Sequence, residues 1–139
     1  MISFYTADLS YQLRSRNDLR KWLQSVAKSE GKYIEDLNII LCSDEYLYAM
    51  NVRYLKHKTY TDIITFDQGT TKSTVQGELY ISLERVRENA GTLGIPIRDE
   101  LHRVMVHGIL HLCGYGDKSP AAKKKMTSKE DFYLARRKF

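Results

Sequence analysis

The sequence predicts an α+β fold in which a single mixed β-sheet of about four strands packs against about five helices. The apolar residues fall into strand-like runs and stretches with helical spacing, in the order strand, helix, strand, helix, two strands and three helices. The chain of 139 residues contains no internal repeat, low-complexity linker or compositional break. Residues 1–139 are therefore expected to form one domain.

The first half of the chain supplies two predicted strands and two predicted helices. Ile2–Tyr5 is expected to form a short strand, and Arg16–Glu30 carries apolar side chains at helical spacing before a glycine. Leu37–Cys42 is a compact apolar run with β-branched residues, which is typical of a buried strand. Ser43 suits an N-cap, and acidic residues follow it in the first turn of a helix that runs to about Tyr54.

The second half supplies two further strands and three helices. Thr61–Phe66 and Gln76–Ser82 are strand-like, and the polar loop between them permits either a hairpin or a longer excursion. Leu83–Leu93 is expected to be a helix that stops at a glycine. Ile97–Cys113 predicts a long helix with acidic residues at its positive end, and Pro120–Arg137 predicts a final helix.

The composition indicates a globular, basic protein. Hydrophobic residues make up 42% of the chain and charged residues 28%, a globular balance that disfavours an intrinsically disordered protein. The formal net charge is +5 and the isoelectric point is about 9.2, which favours polyanionic partners, nucleic acid first among them. Part of the basic excess lies in Lys123–Lys125 and Arg136–Lys138, runs that are equally typical of a solvated helix face and tail.

The cysteines and the apolar segments predict a location in the cytoplasm. Cys42 and Cys113 each lie in an apolar run, so both are expected to be buried, reduced thiols, as in a reducing compartment. Met1–Asp8 lacks the basic start and long apolar stretch of a secretory signal. The chain also lacks a run of roughly 18 apolar residues, so no membrane partner is expected.

A pair of histidines in the long C-terminal helix carries the clearest chemical signal. His107 and His111 are four residues apart, so their imidazoles lie on one helix face, one turn apart. This spacing lets two neutral imidazole nitrogens bind one tetrahedral ion. Gly114 and Gly116 then break the helix, so the carboxylate of Asp117 can turn back towards the same ion. Three protein ligands leave one position free, which is typical of a catalytic zinc site.

Other interpretations of this segment remain open to different degrees. Two histidines at this spacing also occur as half-buried helix residues without a metal, although the glycines and the acid that follow favour the metal site. Cys113 points to the opposite side of the helix from His111, which disfavours both a thiolate ligand and a Cys–His nucleophilic pair. Gly108 stands where metalloproteases of the His-Glu-x-x-His class carry their general base, so a peptidase is disfavoured.

Three motifs in order resemble the YbeY family of ribosomal-RNA maturation endoribonucleases. The run His107–Tyr115 is similar to the family pattern His-Gly-x-Leu-His-Leu-x-Gly-Tyr. Asn51–Tyr54 and Thr61–Phe66 resemble its Asn-x-x-Tyr and Thr-Asp-Val-Leu-Ser-Phe blocks, and Gly77–Ser82 resembles its Gly-Asp-x-x-Ile-Ser strand. The similarity covers residues 37–117. It implies a metal-dependent endoribonuclease that cleaves single-stranded RNA in rRNA processing, at the 3′ end of 16S rRNA, and in ribosome maturation.

Two positions depart from the family pattern. Asp117 occupies the position of the family's third metal-binding histidine, and Gly116 occupies the position of the aspartate that precedes that histidine. A carboxylate is an acceptable hard ligand, so the resemblance implies a site of His107, His111 and Asp117 that holds one zinc ion or another divalent metal. Leu55 occupies the position where many relatives carry an arginine that is implicated in activity.

Cationic residues close to Leu55 are candidates to replace that arginine. We expect Arg53 and His57 to act in catalysis, His57 as a proton donor to the leaving oxygen. Lys56 and Lys58 are expected to grip the phosphate backbone of the substrate. Each of these residues is also typical of an ordinary exposed surface.

Three functions follow from these observations. The first is an endoribonuclease that acts on rRNA or on the ribosome, with partner proteins that help to select the substrate. The second is a ribosome-assembly or RNA-binding factor whose metal is structural, which Leu55 and Asp117 keep open. The third is a metal hydrolase of another substrate such as a peptide, which Gly108 disfavours.

Overall fold

The computed structural model describes residues 1–139 and contains four strands and five helices. The strands are β1 (Ile2–Thr6), β2 (Tyr33–Cys42), β3 (Ile63–Asp67) and β4 (Thr74–Ser82). The helices are α1 (Arg16–Ser29), α2 (Asp44–Leu55), α3 (Leu83–Leu93), α4 (Ile97–Leu112) and α5 (Pro120–Leu134). Each of these helices is too short or too polar to cross a membrane. The predicted α+β class and the element order are confirmed.

The four strands form one mixed sheet in the order β1-β2-β4-β3. β2 pairs in parallel with both β1 and β4, and β3 pairs antiparallel with β4. The antiparallel pair settles the open alternative for the loop between β3 and β4, because the two strands are consecutive and adjacent, as in a hairpin. β3 is therefore an edge strand.

The main difference from the predicted boundaries lies in β2, which begins at Tyr33 and not at Leu37. Of its first four residues only Ile34 is buried, so the segment lacks the continuous apolar run seen in Leu37–Cys42, yet Tyr33 pairs with Thr74 and Ile34 pairs with Val75 of β4. Backbone hydrogen bonding to β4 and the burial of Ile34 thus extend the strand beyond the continuous apolar run. The last helix ends at Leu134, three residues before the predicted end.

Helices α1 and α4 cover one face of the sheet, and the main core lies between them and the inward side chains of the strands. Gly108 lies at the closest approach of α4 to the sheet. A methyl group added there would lie 2.8 Å from Ile63 Cδ1 and 2.9 Å from both methyl carbons of Leu79. The missing side chain therefore lets α4 pack directly against β3 and β4, and His107 and His111 lie on the same helix close to this contact.

Helix α2 packs on the opposite face, over a smaller core of Cys42, Leu47 and Ile64. Both thiols are free, and Cys42 is buried as predicted, whereas Cys113 is only partly buried. Cys113 lies just after the end of α4, where the polypeptide turns towards the surface. Burial raises the pKa of Cys42 to about 12 and that of Cys113 to about 11, so both thiols stay protonated at neutral pH.

Candidate metal centre

The C-terminal end of α4 brings the three predicted ligands together. The rings of His107 and His111 lie one helical turn apart, with centroids separated by 4.5 Å. After α4 ends, Gly114 adopts a left-handed conformation (φ 107°), which L-residues with a side chain rarely adopt, and the chain turns back. Asp117 Oδ2 then lies 3.3 Å from the Nε2 atoms of both histidines. The ligand atoms of this triad all lie within 4.8 Å of one another.

Hydrogen bonds on the far side of each ring determine which nitrogen faces the triad. Nδ1 of His111 lies 2.9 Å from the backbone oxygen of Tyr115, and Nδ1 of His107 lies 2.6 Å from Glu130 Oε2. A carbonyl oxygen only accepts hydrogen bonds, so Nδ1 of His111 must donate, and its neutral ring then presents a bare Nε2. The same arrangement against the carboxylate gives His107 a bare Nε2 when its ring is neutral.

The donor set therefore fits a bound cation. Two imidazole lone pairs and a carboxylate oxygen face one another at 3.3 Å, an arrangement that is repulsive unless positive charge lies between them. The negative end of the α4 dipole adds to the same potential. Two imidazoles and one carboxylate are ligands that divalent transition metals accept.

The carboxylates around His107 act against the effect of burial on its imidazole. Burial by itself would lower the pKa of His107, but the hydrogen bond and charge of Glu130, with the charges of Asp62 and Asp117, raise it overall. Burial also raises the pKa of Asp62, against the opposing effect of His107. The field that holds a proton on this imidazole would equally favour a metal ion at Nε2.

Two carboxylates help to orient the histidines. Glu130 contacts His107 directly, and Glu30 binds Tyr115, which contacts His111. Glu130 is 6% exposed, and its Oε1 accepts a hydrogen bond of 2.9 Å from Arg103 Nη1. On the other side, the phenol of Tyr115 donates to Glu30 Oε1 at 2.5 Å, while its backbone oxygen holds His111. Tyr115 therefore contacts His111 through its backbone oxygen and is fixed in place by its phenol.

Comparison with known proteins identifies the family of this arrangement. The family model described as "Endoribonuclease YbeY" matches residues 2–138. The endoribonuclease YbeY of Cytophaga hutchinsonii is 49% identical over 138 residues, which cover 99% of this chain and 96% of that protein. The endoribonuclease YbeY of Christiangramia forsetii is 45% identical over 134 residues, covering 96% and 92%.

The chain belongs to the YbeY endoribonuclease family. The solution structure of TM1509 from Thermotoga maritima is similar in fold, with a TM-score of 0.66 and 28% sequence identity, and the match covers 96% of this chain and 87% of that one. The resemblance inferred from the three sequence motifs is thus confirmed over nearly the whole chain.

In this YbeY family member, the four cationic candidates lie apart from the triad in sequence and form no hydrogen bond or ion pair with it. Arg53 stacks over the ring of Tyr54, with its guanidinium carbon 5.4 Å from the ring centroid. Lys56 adopts a left-handed conformation at the end of α2, and the backbone nitrogen of His57 donates to Asn51. Lys58 follows in the same exposed loop. Their roles therefore remain predictions.

Sequence reasoning missed the residues that orient the two histidines. Glu130 lies 13 residues beyond Asp117, in a helix whose sequence pattern shows only a weakly amphipathic face. Glu30 lies at the end of α1, 85 residues before Tyr115. The one available signal was that Glu130 follows the apolar Met126 by four residues, which places both on the same buried face of α5.

Proposed function

We propose that this chain is a metal-dependent endoribonuclease that cleaves single-stranded RNA during rRNA processing, at the 3′ end of 16S rRNA, and in ribosome maturation. The observation that carries the proposal is the convergence of His107, His111 and Asp117 in a chain that belongs to the YbeY family. The positive net charge of +5 suits a polyanionic substrate. The same proposal places the protein in the cytoplasm, with the ribosome or partner proteins helping to select the RNA.

We propose zinc as the ion. His107 and His111 would bind it through Nε2 and Asp117 through a carboxylate oxygen, because their other polar contacts leave these atoms facing one another. When bound, a divalent ion supplies Lewis-acid polarisation of a phosphoryl oxygen and activates a nucleophilic water. The carboxylate of Asp117 contributes one negative charge more than a third histidine would, so it partly offsets the charge of the ion.

The exposed cations after α2 are proposed to hold the substrate. Lys56 and Lys58 would contact backbone phosphates, and Arg53 would stabilise the charge that develops on the non-bridging oxygens. His57 would donate a proton to the leaving oxygen. None of these four side chains is engaged in an ion pair in the structure, so all four are available to an anionic ligand.

A second candidate function is an RNA-binding assembly factor whose metal is structural. The observation that favours it is Leu55, an exposed apolar side chain at the position where many relatives carry the arginine implicated in activity. This candidate predicts tight binding of RNA without turnover.

The test of the proposed function is metal-dependent cleavage of RNA. We expect the zinc-loaded protein to cleave single-stranded RNA and to spare duplex RNA, as the resemblance to the YbeY family implies. Removing the metal with a chelator should reduce the rate at least about 100-fold, and zinc should restore it. A parallel preparation of His107→Ala excludes a contaminating ribonuclease. RNA binding with no cleavage would favour the assembly factor, and cleavage of peptides alone would contradict both.

The proposed roles of the cations separate into binding and catalysis. Replacing Lys56 and Lys58 with alanine should weaken binding of single-stranded RNA, and each lost phosphate contact should reduce the slope of log K against log salt by about 0.7. His57→Ala should leave binding unchanged and lower kcat about 100-fold. Fluorescence titrations at several salt concentrations and single-turnover cleavage measure the two effects.

A matched control for these variants is Lys21→Ala, which removes an exposed cation from α1. It should change neither the salt slope nor the rate. Unchanged cleavage in His57→Ala would show that this histidine is not the proton donor.

A further inference from the structure

We propose that Glu130 is a positioning residue that makes His107 a strong metal ligand, and that the affinity of the metal centre therefore depends on how α5 packs against α4. The proposal rests on the proposed metal site. Glu130 does not face the triad itself; it contacts the opposite edge of the His107 ring.

The contact between Glu130 and His107 is short and shielded from water. Oε2 of Glu130 lies 2.6 Å from Nδ1 of His107, and the Glu130 side chain is 8% exposed. A carboxylate at this distance accepts the Nδ1 proton, which fixes the tautomer, fixes the ring orientation and increases electron density at Nε2. Each of these effects strengthens a ligand bond at Nε2.

The carboxylate is itself held in place. Oε1 of Glu130 accepts from Arg103 Nη1 at 2.9 Å, while Arg103 Nη2 lies 2.5 Å from Asp131 Oδ1. The two oxygens of Glu130 therefore have separate partners, one cation on α4 and one imidazole on the same helix. A buried carboxylate with two charge-assisted hydrogen bonds cannot easily rotate away from His107.

The two histidines differ in this respect. His111 donates to the neutral backbone oxygen of Tyr115, four residues ahead in the chain, so its orientation is set by the local turn. His107 depends on a charged side chain from a separate helix, 23 residues ahead. Glu130 should therefore strengthen His107 as a ligand more than the carbonyl of Tyr115 strengthens His111. Loosening α5 should weaken the metal site through His107.

The experiment compares Glu130→Gln with Asp131→Asn in the full chain. Both changes remove one negative charge from a neighbour of Arg103, but only the first touches His107. Zinc affinity is measured by competition with a chromophoric chelator, and the cobalt-substituted protein gives an absorption spectrum that reports ligand geometry. We expect Glu130→Gln to bind zinc about 10- to 100-fold more weakly and to shift the cobalt bands, while Asp131→Asn stays within about twofold of the original.

Two further measurements keep the outcomes distinct. If Glu130→Gln binds zinc as tightly as the unaltered chain while His107→Ala loses it, the positioning role is wrong and the metal site stands. If His107→Ala also retains full zinc affinity, the proposed metal site itself fails. Should Glu130→Gln not fold, the imidazole NMR spectrum of the unaltered zinc-loaded protein decides: a downfield proton on Nδ1 of His107 supports the proposal, and an Nδ1 without a proton overturns it.

Discussion

Replacing His111 with alanine is expected to abolish both metal binding and RNA cleavage. His111 supplies one of the three converging ligand atoms, and no other histidine or thiol in the structure joins the group. Its loss leaves one imidazole and one partly exposed carboxylate, too few ligands to hold the ion against solvent. The bound metal should fall from near one equivalent to near zero, and kcat/KM for single-stranded RNA should fall at least about 100-fold. Elemental mass spectrometry and a cleavage assay measure the two quantities.

The matched control is another histidine of the same helix. His102 is buried against Trp22, and its Nδ1 faces Arg137, so it does not face the triad. Burial, with the positive charges of Arg137 and Arg98, lowers its pKa to about 4, so it is neutral at pH 7. His102→Gln should keep the metal per folded molecule. Metal retained in His111→Ala would mean that the ion lies elsewhere.

Replacing Gly77 with alanine is expected to cause the largest loss of stability among single small substitutions. Gly77 lies in β4 opposite Asp67 of β3, and an added Cβ would lie 2.2 Å from the backbone oxygen of Phe66. The contact is with a backbone atom, so rotating a side chain cannot relieve it. The backbone of the edge strand β3 would have to move. We expect the free energy of unfolding to fall by about 3 kcal/mol. Urea unfolding followed by circular dichroism measures it.

Gly91→Ala is the control for this substitution. Gly91 lies on an exposed face of α3, with nothing within 4 Å of the position of a Cβ. Alanine is a better helix former than glycine, so this change should raise the free energy of unfolding by about 0.5–1 kcal/mol. A Gly77→Ala protein as stable as the unaltered chain would show that the β3–β4 pairing adjusts without cost.

The element order and the convergence of His107, His111 and Asp117 could be predicted because their signals are local. The helical spacing of His107 and His111 is visible in five consecutive residues, and Gly114 predicts the turn that returns Asp117 to them. The same locality explains why the predicted helix from Leu83 to about Leu93 agrees with α3, since Ser82 caps its first turn and Gly94 marks its end.

The strand pairing and the residues behind the ligands could not be predicted in the same way. The first residues of β2 are held by backbone hydrogen bonds to β4, which do not depend on side-chain hydrophobicity. Glu130 reaches the site only once α5 has packed against α4, and Glu30 only once α1 has packed against α4 and β2. A polar side chain on a buried helix face has no sequence signature that distinguishes it from a polar side chain in solvent.

The packing of Gly108 has a consequence for which chemistries this fold can acquire. In the metalloprotease pattern, the residue after the first histidine projects into the active site as the general base. Here that position is directed at Ile63 and Leu79, so a glutamate would be driven into the apolar sheet and not towards the triad of His107, His111 and Asp117. A single substitution at residue 108 therefore offers no evolutionary route to a peptidase. Any base that serves this centre has to be recruited from another part of the chain or from the substrate itself.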